Sequence, residues 1–291
     1  MSQKRKPKGD RRRAIYIFPN LFTTMSLFFG FYSIMCSFQG RFYTSAGFIL
    51  LAALMDGLDG TVARMTNTTS RFGVEYDSLS DLIAFGAAPS ILTYLWALKP
   101  AQLRLYTIIR PDDYSLGFGL VAAFIYLACG ALRLARFNVS SGQRDPGFFQ
   151  GLPITGAAAL VAACVFWHYR IPNRVDAPDG PMVLIYMLIL SFLMISTLDF
   201  ISFKHRIFVH NKHPFETLAI FVISLAIIIT KAKTLLLPLG LIYLSLSVII
   251  TIVRRSRKKN LPPEASNSVN LSKPPPDKLK GGGDNNGSEG G

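Results

Sequence analysis

The sequence predicts an all-α polytopic membrane protein, a bundle of about eight transmembrane helices with both termini in the cytoplasm. Three observations support this prediction. The chain has 291 residues, of which 50% are hydrophobic and only 16% are charged. Apolar runs long enough to cross a hydrocarbon layer of ~30 Å recur with short polar breaks. Both ends of the chain are basic, as the positive-inside rule requires of cytoplasmic segments.

The eight spans follow from the hydropathy of the chain in order. Four long apolar runs come first, and the fifth to seventh runs are shorter. The predicted spans are residues 15–38, 42–65, 74–98, 117–137, 154–170, 182–199, 215–230 and 234–253. An even number of spans returns the chain to the side on which it began, which agrees with two cytoplasmic tails.

The net charge of +14 is concentrated at the two ends of the chain. Residues 1–13 hold seven lysines and arginines against one acid, and residues 254–291 hold eight against four. A basic tail can indicate nucleic-acid binding, but both tails adjoin membrane spans. We therefore expect the tails to contact anionic membrane lipids, and we expect no nucleic-acid partner. The stretch 260–291 has low complexity and is predicted to be disordered.

Four aspartates interrupt the apolar sequence near the end of the second span and the start of the third. Asp56 and Asp59 are three residues apart, and Asp77 and Asp81 are four apart, so each pair lies on one face of a helix. The stretch between the two spans is short and polar, which predicts antiparallel neighbouring helices. Both pairs then lie at the same membrane depth, close to the cytoplasmic surface.

Carboxylates at this depth are costly unless their charge is compensated. Two unit charges ~4 Å apart repel by about 4 kcal/mol at an effective dielectric constant near 20, and an ionisable residue in a span costs roughly 2.5–3.5 kcal/mol. Protonation, arginine partners or bound cations would relieve this cost. An all-oxygen set without histidine or cysteine suits Mg²⁺ or Mn²⁺, and four aspartates can hold two such ions. A solvated turn and a proton or cation pathway are the alternative interpretations.

The aspartates belong to a longer pattern, D-x2-D-G-x2-A-R-x8-G-x3-D-x3-D, which covers residues 56–81. The pattern resembles the hallmark of the CDP-alcohol phosphatidyltransferases at every fixed position. This resemblance implies two divalent cations, Mg²⁺ or Mn²⁺, held by Asp56, Asp59, Asp77 and Asp81, with Asp81 as the general base. The implied contacts for CDP-diacylglycerol are Asn20, Thr23, Asp59, Gly60, Ala63, Arg64 and Gly73.

Other segments resemble the phosphatidylserine synthases of the membrane-embedded bacterial and archaeal type. They are IFPNLFTTMSLFFGF at 17–31, LRLARFN at 132–138, FQGLP at 149–153 and SFK at 202–204. The implied reaction transfers the phosphatidyl group of CDP-diacylglycerol to the hydroxyl of L-serine and gives phosphatidylserine and CMP. The implied contacts for serine or for a phosphate group are Arg133, Asn138 and Lys204.

The predicted organisation has four parts. A basic cytoplasmic tail at 1–14 precedes a six-helix catalytic core at 15–204, two additional transmembrane helices follow in 205–253, and a basic, then low-complexity tail covers 254–291. We expect a multi-pass homodimer in the cell membrane, with its active site facing the cytoplasm. Two alternatives to serine transfer stay open. One is the same chemistry with another acceptor, such as glycerol 3-phosphate or inositol, and the other is a cation or proton transporter.

Overall fold

The described part of the chain is helical, with one short pair of strands. The computed structural model describes residues 9–65, 70–99, 117–139, 148–170, 178–201 and 232–259. Within these stretches, side chains are described at 20–60, 70–99, 117–139, 151–170, 178–198 and 234–251. The helices are α1 (Gly9–Phe38), α2 (Phe42–Met65), α3 (Arg71–Leu98), α4 (Phe118–Val139), α5 (Ile154–His168), α6 (Gly180–Ile195) and α7 (Ala232–Lys259). The strands are β1 (Phe148–Gln150) and β2 (Asp199–Ile201). The predicted helical architecture is confirmed.

Five of these helices are long and apolar enough to cross a membrane. Their spanning stretches are Asn20–Phe38, Phe42–Gly60, Arg71–Leu98, Phe118–Val139 and Thr234–Thr251. The predicted fifth and sixth spans correspond to α5 and α6, which are apolar but have only 15 and 16 residues. At 1.5 Å per residue, these two helices are about 23 and 24 Å long, which is shorter than a hydrocarbon layer of ~30 Å. The predicted seventh span, 215–230, lies outside the described residues.

The third helix is continuous but not uniformly α-helical. Two π-helical turns, Leu82–Ala87 and Tyr94–Leu98, interrupt it. Pro89 lies between them and has no N–H group, so it cannot donate the usual helical bond to the carbonyl of Phe85. The hydroxyl of Tyr126 in α4 donates to that carbonyl at 3.3 Å. A side chain of the neighbouring helix thus satisfies a polar backbone group inside an apolar layer.

Glycine allows the helices around α3 to approach it closely. A Cβ atom on Gly30 in α1 would lie 2.5 Å from the Cα atom of Ala84 in α3. A Cβ atom on Gly119 in α4 would overlap the carbonyl oxygen of Leu98 at the end of α3. Small residues at such contacts let membrane helices pack by van der Waals attraction. The helix that carries Asp77 and Asp81 is therefore held on two sides.

A two-stranded antiparallel ladder joins the segment before α5 to the segment after α6. The predicted all-α fold does not include this ladder. Phe149 in β1 lies opposite Phe200 in β2. Gly151 follows β1 with a φ of +78°, and its N–H donates to the carbonyl of Leu198 at 2.8 Å. The start of the segment FQGLP thus pairs with residues 199–201, while SFK at 202–204 lies outside the described residues.

Replacing Gly151 by alanine is expected to destabilise the protein by at least about 1–3 kcal/mol, the cost of a left-handed backbone in a residue with a side chain. The new Cβ atom would also overlap the carbonyl oxygen of Met194 and lie 3.0 Å from that of Ser196. The measurement is thermal unfolding of the purified protein in detergent. Gly156→Ala is the matched control, because its Cβ atom would meet only ordinary contacts of 3.7–3.9 Å. A Gly151→Ala protein as stable as the Gly156→Ala protein would contradict this account.

Candidate active site

The start of α3 is fixed by a serine cap. Ser70 precedes the helix in extended backbone, and its hydroxyl accepts a hydrogen bond from the N–H of Gly73 at 3.0 Å. Serine is preferred at this position because it satisfies an N–H group that has no partner within the helix. With the start fixed, Gly73, Asp77 and Asp81 follow at intervals of four residues and lie along one face of the helix.

Three of the four predicted aspartates meet in one group. Asp56 from α2 and Asp77 and Asp81 from α3 each place a carboxylate oxygen within 4.8 Å of the other two. All three side chains are half-buried. Each pair of negative charges at this separation repels by about 3–4 kcal/mol at an effective dielectric constant of 20, so a bound cation would stabilise the group. Carboxylate oxygens are ligands that Mg²⁺ and Mn²⁺ prefer, and the group is a candidate metal site.

The fourth aspartate, Asp59, is buried, and its carboxylate accepts a hydrogen bond from the hydroxyl of Thr23 in α1. Asp59 is not a member of the three-carboxylate group, although its charge acts on Asp81. The hydroxyl of Ser80, the neighbour of Asp81 in the chain, donates to the backbone carbonyl of Thr23 at 3.1 Å. Thr23, a predicted substrate contact, therefore connects α1 to both of the helices that carry the aspartates.

The polar start of α3 lies along α1. A Cβ atom on Gly73 would lie 3.6 Å from Oδ1 of Asn20 and 3.1 Å from the hydroxyl of Ser70. The hydroxyl oxygens of Thr24 in α1 and Tyr76 in α3 are 3.0 Å apart. Two predicted contacts for CDP-diacylglycerol, Asn20 in α1 and Gly73 in α3, are thus brought together, with room between them that a larger side chain would fill.

The fourth helix contributes a cation and an amide to the same region. The positive charge of Arg133 attracts the carboxylate of Asp81, whereas the charges of the neighbouring aspartates repel it. Nδ2 of Asn138 donates to the hydroxyl of Ser78 at 3.0 Å. Ser78 lies between Asp77 and Asp81 in the chain. The structure therefore places both of these predicted serine or phosphate contacts beside the helix that carries the last two aspartates.

The remaining predicted residues are described less fully. Gly60 follows Asp59 in α2. Ala63 and Arg64 lie in the last turn of α2, beyond the part of that helix whose side chains are described. Lys204 lies outside the described residues.

Three polar residues of this region have no predicted role in the sequence analysis. Ser78 and Ser80 lie in the segment DSLSD, and Ser80 is three residues after Asp77, a helical spacing that could have indicated it. Arg136 satisfies the positive-inside rule and needs no further explanation from sequence. Its Nη1 donates to the carbonyl of Ile195 at 3.2 Å, at the end of α6. A cation in this position also interacts favourably with the helix dipole.

A family model described as CDP-alcohol phosphatidyltransferase matches residues 16–177, more than half of the chain. The matched range contains the four aspartates and the helices α1 to α4 from residue 16 onwards. It also contains α5, the ladder strand β1, and the α4 residues that lie beside Asp81.

Curated relatives agree with this match. A Helicobacter pylori strain J99 protein named CDP-diacylglycerol–serine O-phosphatidyltransferase is 38% identical over 191 residues, which cover 65% of this chain and 74% of the relative. A Methanocaldococcus jannaschii protein of the same name is 34% identical over 200 residues, 68% of this chain and 80% of the relative. The archaetidylserine synthase of Methanothermobacter thermautotrophicus is 35% identical over 195 residues, 66% and 73% of the two chains. The predicted family is confirmed, and this chain is a member of the CDP-alcohol phosphatidyltransferase family.

Proposed function

We propose that this protein transfers the phosphatidyl group of CDP-diacylglycerol to the hydroxyl of L-serine, giving phosphatidylserine and CMP in phospholipid biosynthesis. The observation that carries the proposal is the three-carboxylate group. Asp56, Asp77 and Asp81 lie on two membrane helices, and their carboxylate oxygens lie within 4.8 Å of one another. The choice of serine is supported by relatives from three genera, each named CDP-diacylglycerol–serine O-phosphatidyltransferase.

The proposed cofactors are two divalent cations, Mg²⁺ or Mn²⁺. Asp56, Asp77 and Asp81 would supply oxygen ligands to these cations, and Asp59 would be the fourth ligand. The substrate carries a pyrophosphate, which three or four carboxylates would repel. When bound, the cations would offset this repulsion and the charge that develops on the departing CMP.

The lipid substrate binds with its acyl chains in the bilayer and its pyrophosphate at the acid group. The proposed contacts for CDP-diacylglycerol are Asn20, Thr23, Asp59, Gly60, Ala63, Arg64 and Gly73. Support comes from the approach of Asn20 to Gly73, where a Cβ atom would lie 3.6 Å from the amide oxygen. A glycine at this point leaves room for a polar group to approach the backbone.

The chemical step needs a base and a stable position for the attacking oxygen. Asp81 accepts the proton of the serine hydroxyl, and the hydroxyl oxygen attacks the phosphorus that carries diacylglycerol. The bond from that phosphorus to CMP breaks. Arg133, whose charge already acts on Asp81, offsets negative charge near the reacting atoms. Positioning and charge neutralisation supply most of the acceleration in reactions of this class.

The acceptor site lies on the α4 side of Asp81. Arg133 and Asn138 are its proposed contacts, together with Lys204. A guanidinium group can bind a carboxylate or a phosphate through two parallel hydrogen bonds, which suits either the serine carboxylate or the lipid phosphate. The bond from Asn138 to Ser78 supports this position because it holds the end of α4 against the acid-bearing helix.

The proposed setting is the cell membrane, with eight spans, both termini in the cytoplasm and a homodimer as the assembled form. The proposed parts are those of the sequence analysis, with the catalytic core at 15–204 and additional helices at 205–253. The basic charge of both tails supports the orientation. With this orientation, the position of the acids at the end of α2 and the start of α3 supports an active site at the cytoplasmic surface.

The reaction is tested with the purified protein, CDP-diacylglycerol and Mn²⁺, with one acceptor at a time. We expect CMP release with L-serine and none above background with glycerol 3-phosphate or inositol. Release with another acceptor in place of serine would overturn the substrate assignment and keep the chemistry. No release with any acceptor would overturn the transferase itself and favour a transporter.

A further inference from the structure

Three buried residues next to the three-carboxylate group form a small hydrogen-bond network, called the node below. It consists of Thr23, Asp59 and Ser80, whose side chains are 3%, 7% and 1% exposed. The hydroxyl of Thr23 donates to Oδ2 of Asp59, and the hydroxyl of Ser80 donates to the backbone carbonyl of Thr23 at 3.1 Å. The node therefore joins α1, α2 and α3 at one point.

The hydroxyl of Thr23 donates to a side chain on another helix. A threonine in a helix commonly donates to the carbonyl four residues earlier, and the neighbouring Thr24 does so to Asn20 at 2.7 Å. A hydroxyl has only one proton to donate. The Thr23 hydroxyl donates across the helix interface to a carboxylate on α2, and this contact orients Asp59.

A carboxylate can accept several contacts at once, because its two oxygens offer about four lone-pair sites when it is ionised. The Thr23 hydroxyl donates to one of these oxygens, Oδ2 of Asp59. In metal sites, residues that hydrogen-bond a ligand fix its orientation, and their loss typically weakens metal binding by about 10–100-fold.

We propose that Thr23 is a positioning residue that holds Asp59 for cation binding, and that Ser80 holds Thr23 in turn. This proposal rests on the proposed function, because it assumes that the acid group binds divalent cations. It assigns Thr23 a role through Asp59, in addition to any contact with the lipid substrate. The first helix thereby controls the geometry of a site whose carboxylates all lie on other helices.

The test is Mn²⁺ binding to the purified, metal-free protein, measured from the electron paramagnetic resonance signal of free Mn²⁺ with no substrate present. Thr23→Val removes the hydroxyl and keeps the shape of the side chain, and we expect it to weaken Mn²⁺ binding by about 10–100-fold. Thr23→Ser keeps the donor and is expected to bind Mn²⁺ within about twofold of the wild type, because the loss of one hydrogen bond would itself cost about 2- to 12-fold.

The same interface offers a matched control. Ser26 lies three residues after Thr23, is 1% exposed, and donates to the backbone carbonyl of Ala52 in α2 at 3.1 Å. Ser26→Ala removes a buried bond between α1 and α2 that involves no carboxylate. It is expected to lower thermal stability and to leave Mn²⁺ affinity unchanged.

The outcomes separate this proposal from the function on which it rests. If the wild type binds no Mn²⁺, the proposed metal chemistry fails. If the wild type binds Mn²⁺ and Thr23→Val binds it equally well or more tightly, the role of Thr23 is overturned. If Ser26→Ala weakens Mn²⁺ binding as much as Thr23→Val, the effect is general to the interface and the role of Thr23 is again overturned. Should Thr23→Val not fold, Ser80→Ala decides, with an expected loss of about 2- to 12-fold, and an unchanged affinity would overturn the proposal.

Discussion

Replacing Asp56 or Asp77 by asparagine is expected to lower CMP release by about 10³-fold or more, because a metal ligand and its charge are lost. Metal stabilisation of a phosphoryl transition state is worth several kcal/mol, and each 1.4 kcal/mol corresponds to about tenfold in rate. The two residues lie on different helices, and each places a carboxylate oxygen within 4.8 Å of the other. Similar losses at both positions would therefore show that α2 and α3 build one site.

The measurement is initial CMP release from purified variants at saturating Mn²⁺, CDP-diacylglycerol and serine. Glu75→Gln is the matched control, because Glu75 is an exposed acid on the same helix as Asp77. It changes the net charge by the same amount and should keep the wild-type rate. Near-normal release from Asp56→Asn or Asp77→Asn would contradict the metal role of these aspartates.

Replacing Asp81 by asparagine is expected to lower turnover by about 10²–10⁴-fold, the usual contribution of a general base. Asparagine has nearly the same shape and cannot accept the proton of the serine hydroxyl. We expect the variant to keep measurable binding of CDP-diacylglycerol, because Asp56 and Asp77 still supply carboxylates. Binding is measured with the labelled lipid nucleotide, separately from turnover.

Two comparisons make the role of Asp81 falsifiable. Wild-type rates of the Asp81→Asn protein across a series of pH values would rule out its role as a base. Loss of CDP-diacylglycerol binding equal to that of the Asp77→Asn protein would assign Asp81 to metal binding alone. Retained binding of CDP-diacylglycerol together with slow turnover would support the role of Asp81 as the general base.

The extent of the early helices could be predicted from sequence because long apolar runs and polar breaks mark them. The span predicted at 42–65 coincides with α2, and those predicted at 74–98 and 117–137 differ from α3 and α4 by two or three residues at an end. The π-helical turns of α3 and the ladder between β1 and β2 could not be predicted. Each depends on partners far away in the chain, such as Tyr126 for the carbonyl of Phe85.

The candidate site divides in the same way. The spacing of the aspartates predicts that Asp77 and Asp81 share a face of one helix, and the short polar stretch between the spans predicts that α2 and α3 are neighbours. The helical period does not show which side chains of different helices contact one another. Thr23 and Asp59 are 36 residues apart, and Asn138 and Ser78 are 60 apart, so their bonds depend on how the helices pack. The proposed roles of the site residues stay predictions for the experiments above.

The short length of α6 has a consequence for the lipids around it. Its outward face exposes large apolar side chains, among them Met182, Ile185, Ile189 and Phe192. This face is only about 24 Å long. In the proposed eight-span topology α6 crosses the bilayer, and a bilayer of average thickness would be mismatched there, at a cost of fractions of a kcal/mol per Å. Phospholipids with shorter acyl chains relieve the mismatch. The membrane thickness in which the protein is most stable is therefore expected to lie below the average, on the side that α6 faces.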